Sequence, residues 1–146
     1  MTPSPSYKHQ KTAFDIAYEL RKFVYEKDLG EVLYEFDVHL DDENVLRPDV
    51  LFISKEGLEL LKENWIDGAP DMVVEVLSPS TAVRDLMDKR EIYEKFGVRE
   101  YWIVDPSAEE IYVLYSESGR FKLICKGKKC GSRILKGFEW GFTSKR

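Results

Sequence analysis

Met72-Val73-Val74-Glu75-Val76-Leu77 is an apolar run with one carboxylate in its middle. Its length and β-branched content predict a strand covered on both faces, as in a sheet enclosed by helices. Immediately downstream, Ser78-Pro79-Ser80-Thr81 supplies helix-capping hydroxyls, and the pattern from about Ala82 to Phe96 reads as a helix ended by Gly97. A further strand follows over Tyr101 to Val104, closed by Asp105-Pro106. Upstream, Arg47-Pro48-Asp49 introduces a shorter apolar strand, Val50 to Ile53. Before it, Val32, Tyr34, Phe36, Val38 and Leu40 recur with period two, which predicts a strand over Val32 to Leu40.

The flanks complete the order. Ala13, Ile16, Ala17, Leu20, Phe23 and Val24 fall at helical spacing, so Ser6 to Asp28 reads as an amphipathic helix. Asp41-Asp42-Glu43-Asn44 reads as a polar turn, and Lys55 to Asn64 as a short surface helix before the loop Trp65 to Pro70. Ile111 to Tyr115 and Phe121 to Cys125 form a hairpin through Ser116-Glu117-Ser118-Gly119. Arg133 to Leu135 and Phe138 to Phe142 read as short extended pieces. Three consecutive strands favour an antiparallel meander, and the second long helix makes a crossover to the fourth strand. The expectation is an α/β fold: a mixed sheet flanked by helices, with a C-terminal hairpin annex, in one domain over residues 1–146.

Composition sets outer bounds. The 146 residues are 43% hydrophobic and 34% charged, a globular balance, with a net charge of −5. That charge argues against a passive nucleic-acid coat without excluding an enzyme whose metal-binding carboxylates add negative charge. No apolar run is long enough to cross a bilayer, and Met1 to Ser6 lacks a signal-peptide pattern, so a cytoplasmic address is expected. Cys125 and Cys130 could pair or supply half of a zinc site; no second cysteine or histidine pair exists to complete four ligands, and reduced thiols are expected of them.

Three charged residues interrupt apolar patterns. Unpaired, Glu75 would cost on the order of several kcal/mol where it lies. A structural salt bridge is the bland explanation. Asp49 begins the preceding strand, and neighbouring strands lie about 4.8 Å apart. Two adjacent carboxylates repel each other, whereas a shared divalent cation with oxygen ligands accounts for both. Lys89 sits in the apolar face formed by Leu86, Ile92, Tyr93 and Phe96. If that helix packs back antiparallel to the central strand, Lys89 comes level with Glu75, each being about 10 Å from the connecting turn. Tyr93 is expected to be core, Lys55 an exposed lysine near a loop, and Asp85 either a tether for Lys89 or a simple helix pair.

Pro48-Asp49, Glu75 in a following strand and Lys89 on the next helix resemble the PD-(D/E)XK nuclease superfamily. A closer resemblance is to a bacterial restriction-endonuclease-like family, abundant in cyanobacteria and formerly catalogued as a domain of unknown function. The segments that carry it are Arg47-Pro48-Asp49-Val50, Glu75 through Thr81, Asp85 with Lys89, and Tyr93 through Gly97-Val98 to Glu100 and Pro106. Pro3-Ser4-Pro5 with His9-Gln10 resembles that family's lead into its first helix. Two departures stand out. The superfamily's usual lysine position, two residues after the acid, is Leu77 here, so Lys89 takes its place. Relatives usually carry an extra N-terminal segment, which leaves a short version, a truncated chain or a misplaced start open.

The resemblance implies a restriction-endonuclease-like core that hydrolyses DNA phosphodiester bonds. Asp49 and Glu75, with the Val76 carbonyl, would hold Mg²⁺, for which Mn²⁺ is a substitute, and Lys89 would act on the attacking water or the phosphate. One rival is a non-catalytic nucleic-acid or protein-binding module on the same fold, which need not bind magnesium. Another is a hydrolase of small phosphodiesters, which would need a closed pocket. Trp65, Trp102, Trp140, Phe138 and Phe142 are read either as exposed rings that favour a homodimer or as a satellite core under the hairpin.

Overall fold

A computed structural model of the protein describes residues 6–79, 81 and 83–143. Among the described residues, chain order runs α1 (Tyr7–Glu26), β1 (Gly30–Tyr34), β2 (Val38–His39), β3 (Val45–Leu46), β4 (Val50–Ser54), a 3-10 helix (Lys55–Leu60), β5 (Ile66–Asp67) and β6 (Met72–Val76). It continues with α2 (Val83–Lys95), β7 (Glu100–Asp105), β8 (Glu110–Glu117), β9 (Arg120–Gly127), β10 (Lys129–Gly131) and β11 (Glu139–Gly141). Six strands make one sheet in the order β1-β4-β6-β7-β8-β9. β1, β4 and β6 pair antiparallel, as a meander should, and the α2 crossover sets β7 parallel to β6. The C-terminal hairpin continues this sheet by pairing β8 antiparallel to β7.

Helix α1 begins at the Ser6 cap, whose hydroxyl accepts the His9 amide at 3.1 Å. Its buried stripe, Ala13, Ile16, Leu20 and Val24, joins Val50, Phe52, Val74, Val76, Trp102 and Val104 in the larger core. Each of the larger aliphatic side chains contributes about 1.5–3 kcal/mol by leaving water. The opposite face of the sheet packs Val73, Tyr93, Val98, Tyr101, Leu114 and Phe121 into a second core under α2. β6 is thus covered on both faces, and all five of its residues are buried. The expected start of α2 at Ala82, the capping Ser80 and the Pro3-Ser4-Pro5 lead lie outside the described residues.

Several expectations need correction. The strand read over Val32 to Leu40 is two strands in different sheets, because Glu35 takes φ +49° and turns the chain. Past that turn Val38 is buried beside Ile66, pairing parallel to β5 and antiparallel to β3. The helix expected over Lys55 to Asn64 is one 3-10 stretch ending at Leu60, and the supposed loop after it contains β5. Arg133 to Leu135 is not a strand but a bend, bound by its amides to a buried carboxylate described below.

The cysteines are also not free thiols. The tight connection from β9 to β10 brings Cys125 and Cys130 to a Cα separation of 6.0 Å, and they form a disulfide. Of the five rings singled out, Trp102, Phe138 and Trp140 are core, packed under the hairpin, whereas Trp65 is exposed and Phe142 half-buried. Other exposed rings include Tyr34 and, on the outer face of α1, Tyr7, Phe14, Tyr18 and Tyr25.

Candidate active site

Asp49 sits where β4 begins, and Glu75 lies one residue before the end of β6. β4 and β6 are antiparallel neighbours, with Val50 paired to Val74, so the start of one and the end of the other meet at one edge of the sheet. α1 reaches that edge with its first turn and α2 covers it from the opposite side. Their convergence leaves a cleft of about 160 Å³ lined by His9, Arg47, Asp49, Glu75, Asp85 and Lys89, among others.

Glu75 is 6% exposed, and both of its oxygens are engaged. The Lys89 ammonium donates to Oε1 at 3.3 Å, and the buried Tyr93 hydroxyl donates to Oε2 at 2.9 Å. Burial pushes the Glu75 carboxyl up to about 7, and the nearby Asp49 charge adds to the rise; Lys89 and the Tyr93 hydrogen bond oppose it. Burial, with the Glu75 charge second, likewise raises the Tyr93 phenol well above its ordinary range. Tyr101, whose ring meets Tyr93 edge-on at 5.1 Å, has a buried hydroxyl without a hydrogen-bond partner among the described residues.

Asp49 is held at both oxygens. Oδ2 accepts the Val76 amide at 2.7 Å, which ties the start of β4 to the end of β6 beyond their ladder. Oδ1 lies 3.3 Å from His9 Nε2. The other imidazole nitrogen, Nδ1, is buried and unpartnered among the described residues.

The three residues singled out in the sequence, Asp49, Glu75 and Lys89, therefore line one cleft. Asp85 also lines it, but among the described residues it forms no ion pair with Lys89, whose partner is Glu75. Lys55 follows β4, at the far end from Asp49, and pairs with Asp28. Tyr93 is core, as expected, yet it is also the hydrogen-bond anchor of Glu75. His9 was read only as part of the lead into α1. Its spacing from Ala13, Ile16 and Leu20 continues the buried stripe of that helix, and a polar residue on such a stripe was the available signal. Glu100 went unremarked as a buried charge: it is 0% exposed and accepts from Trp102 Nε1, Ser132 Oγ and the amides of Arg133 and Ile134.

The family Uma2, described as "Putative restriction endonuclease", matches residues 1–126. The chain belongs to this family. Among solved structures, it resembles a protein from Anabaena variabilis described as "a putative nuclease belonging to DUF820". The two share 19% identity at a TM-score of 0.70, over 84% of this chain and 70% of that one. At that identity the likeness speaks for the fold, a mixed α/β nuclease-like architecture. No match is found among curated proteins. Among the described residues, no helix of this family member is long and apolar enough to cross a membrane.

Proposed function

We propose that this chain is a divalent-metal-dependent endonuclease that hydrolyses DNA phosphodiester bonds at the cleft between α1, α2 and the edge of the sheet. The observation that carries the reading is the pair Asp49 and Glu75 facing one cleft, with the Lys89 ammonium 3.3 Å from Glu75. Membership of a restriction-endonuclease family supports the reaction class.

Among the described residues, no three His, Cys, Asp or Glu side chains converge as a preformed metal cage. The donor chemistry nevertheless fits a hard cation. Asp49 and Glu75 offer carboxylate oxygens, and the Val76 carbonyl leaves its strand on the same side as the amide bound to Asp49. Mutual repulsion of the two carboxylates raises Glu75 further, a cost that a shared cation would offset. Asp49, Glu75 and Val76 would hold Mg²⁺ or Mn²⁺, with remaining positions left to water. Such an ion supplies neutralisation of phosphate charge and a lowered pKa for bound water.

The chain's own groups do the rest. Lys89 is half-exposed, so its ammonium can turn from Glu75 toward a phosphate oxygen or the attacking water. Tyr93 fixes the Glu75 rotamer from the core side, and His9 orients Asp49 from the first turn of α1.

Calorimetric titration with Mn²⁺ and Mg²⁺, run beside a plasmid-nicking assay on wild type and Glu75→Ala, tests this reading. We expect metal binding and nicking in the wild type and neither in the variant. A wild type that binds no divalent ion would end the catalytic reading and favour a binding module built on an inherited nuclease fold.

A further inference from the structure

A separate concavity lies on the other flank of α1 from the cleft. It is about 270 Å³ and is lined by Tyr7, Lys8, Lys11, Pro106, Trp140 and Phe142, with the carboxylates of Asp15 and Glu109 at its margin. We propose that this pocket binds one nucleotide unit of a single-stranded nucleic-acid segment that continues from the cleft. Lys8 and Lys11 would hold its phosphates, and Tyr7 and Phe142 would offer faces to its base. The inference rests on the nuclease reading for its direction, because it extends the substrate track away from that cleft.

Charge is the first argument. Glu109 pairs with Lys128 at 3.0 Å, and Asp15 accepts the Trp140 indole N–H at 3.0 Å. Glu109 is therefore paired with a cation, whereas Asp15 keeps its negative charge beside the Trp140 indole. Lys8 and Lys11 are exposed and, among the described residues, have no carboxylate within ion-pair distance. In a chain of net charge −5, Lys8 and Lys11 on one wall, with Lys128 beside Glu109, outnumber the two carboxylates and give the pocket a local excess of positive charge that suits an anion.

The aromatic lining is the second. Trp140 forms the floor, its ring edge-on to Phe142 at 4.9 Å, and Tyr7 stands at the rim with 75% of its surface in water. Lys11 already lies over the Tyr7 ring, 5.5 Å from its centroid. Cations alternating with exposed ring faces are how proteins hold single strands without reading sequence, since every base has a face to stack. A free phosphate would use the lysines alone and leave the rings without a role.

Position is the third. Lys8 is the neighbour of His9, which holds Asp49 in the cleft. Pro106 directly follows β7, whose Val104 is the register partner of Val76 at the end of β6. Pocket and cleft thus open at the same end of the sheet, on two sides of the first turns of α1, so one strand can cross from one to the other.

The test is fluorescence anisotropy with a fluorescein-labelled single-stranded DNA 12-mer, in EDTA so that nothing is cut, on wild type, K8A/K11A and Y7A. All three substituted side chains are exposed, and circular dichroism melts check that the variants fold. We expect K8A/K11A to weaken binding at least tenfold and to flatten the slope of log K against log salt by about 1.4, at about 0.7 per lost single-strand phosphate. Y7A is expected to weaken binding about tenfold, the scale of one lost base stack. K8A/K11A should keep the wild-type Mn²⁺ titration, which separates the pocket from the metal centre. Strand binding that depends on Lys8 and Lys11 without any nicking would leave the pocket standing and sink the nuclease reading. Nicking with unchanged affinity and salt slope in K8A/K11A would overturn the pocket alone, as would a wild type that binds duplex but no single strand.

Discussion

Glu75 is ionisable, nearly inaccessible and surrounded by both kinds of influence. In the metal-free chain burial dominates and sets its carboxyl at about 7 instead of 4.5. The folded state then binds this proton more tightly than the unfolded state does. Its contribution to stability is fully present below about pH 4.5 and is lost as pH rises through 7, amounting to about 3 kcal/mol at the upper end. Urea denaturation in EDTA at pH 5 and pH 8 should therefore show Glu75→Gln gaining on the wild type as pH rises; a constant difference between the two would mean Glu75 is ionised throughout. Tyr93→Phe removes a donor that favours the charged form, so it should cost about 1–2 kcal/mol at pH 8 and less at pH 5. The sequence made Glu75, Asp49 and Lys89 legible because each breaks an apolar pattern or faces a residue that does. Tyr93 breaks nothing, since a tyrosine satisfies the core side of a helix whether or not its hydroxyl has work to do. The role of His9 depends on a contact across forty residues of chain, which no local period records.

At the scale of elements, long periodic segments were readable and short ones were not. α1, β4, β6, α2 and β7 follow from patterns sustained over at least four residues, and their order alone implies the meander and crossover. The break after β1 depends on one backbone angle at Glu35, and β2, β3 and β5 have only two residues each, too few for a period to emerge. The segment after β10 is held by Glu100, whose carboxylate accepts one indole, one hydroxyl and two amide hydrogen bonds, all long-range except Trp102. Glu100→Ala strands these donors in the core and should destabilise the protein by about 3–5 kcal/mol, measured by denaturant titration. A loss below about 1 kcal/mol would mean that water replaces the carboxylate. The disulfide was passed over in favour of reduced thiols because thiol state was argued from the expected compartment, whereas the turn after β9 already places Cys125 beside Cys130. Closing so short a loop restricts the unfolded chain modestly, so C125S/C130S is expected to cost about 2 kcal/mol.

The cleft belongs to no single element. α1 contributes His9, the start of β4 Asp49, the end of β6 Glu75 and Val76, and α2 Lys89; only the complete fold assembles them. A cation bound there therefore binds the native state and not the unfolded chain, where the same carboxylates are far apart and solvated. Mass action then makes the whole molecule the reporter: at Mn²⁺ concentrations a hundredfold above Kd, stability should rise by about 2.7 kcal/mol. For a chain of this size that is a rise in Tm of roughly 5–10 °C. Asp49→Ala and Glu75→Ala should melt at the same temperature with and without Mn²⁺. Lys89→Ala should still be stabilised by the ion, because the lysine is no metal ligand, yet it should nick plasmid far more slowly. That dissociation would separate the two carboxylates proposed to hold the ion from the ammonium proposed to act beside it. If Lys89→Ala also lost the metal-induced shift, the lysine would be maintaining the Glu75 site, and its role would be structural. If none of the variants differed from wild type, the cation would be binding elsewhere on an acidic surface, and Asp49 and Glu75 would have to be explained by their contacts with His9, Val76, Tyr93 and Lys89 alone.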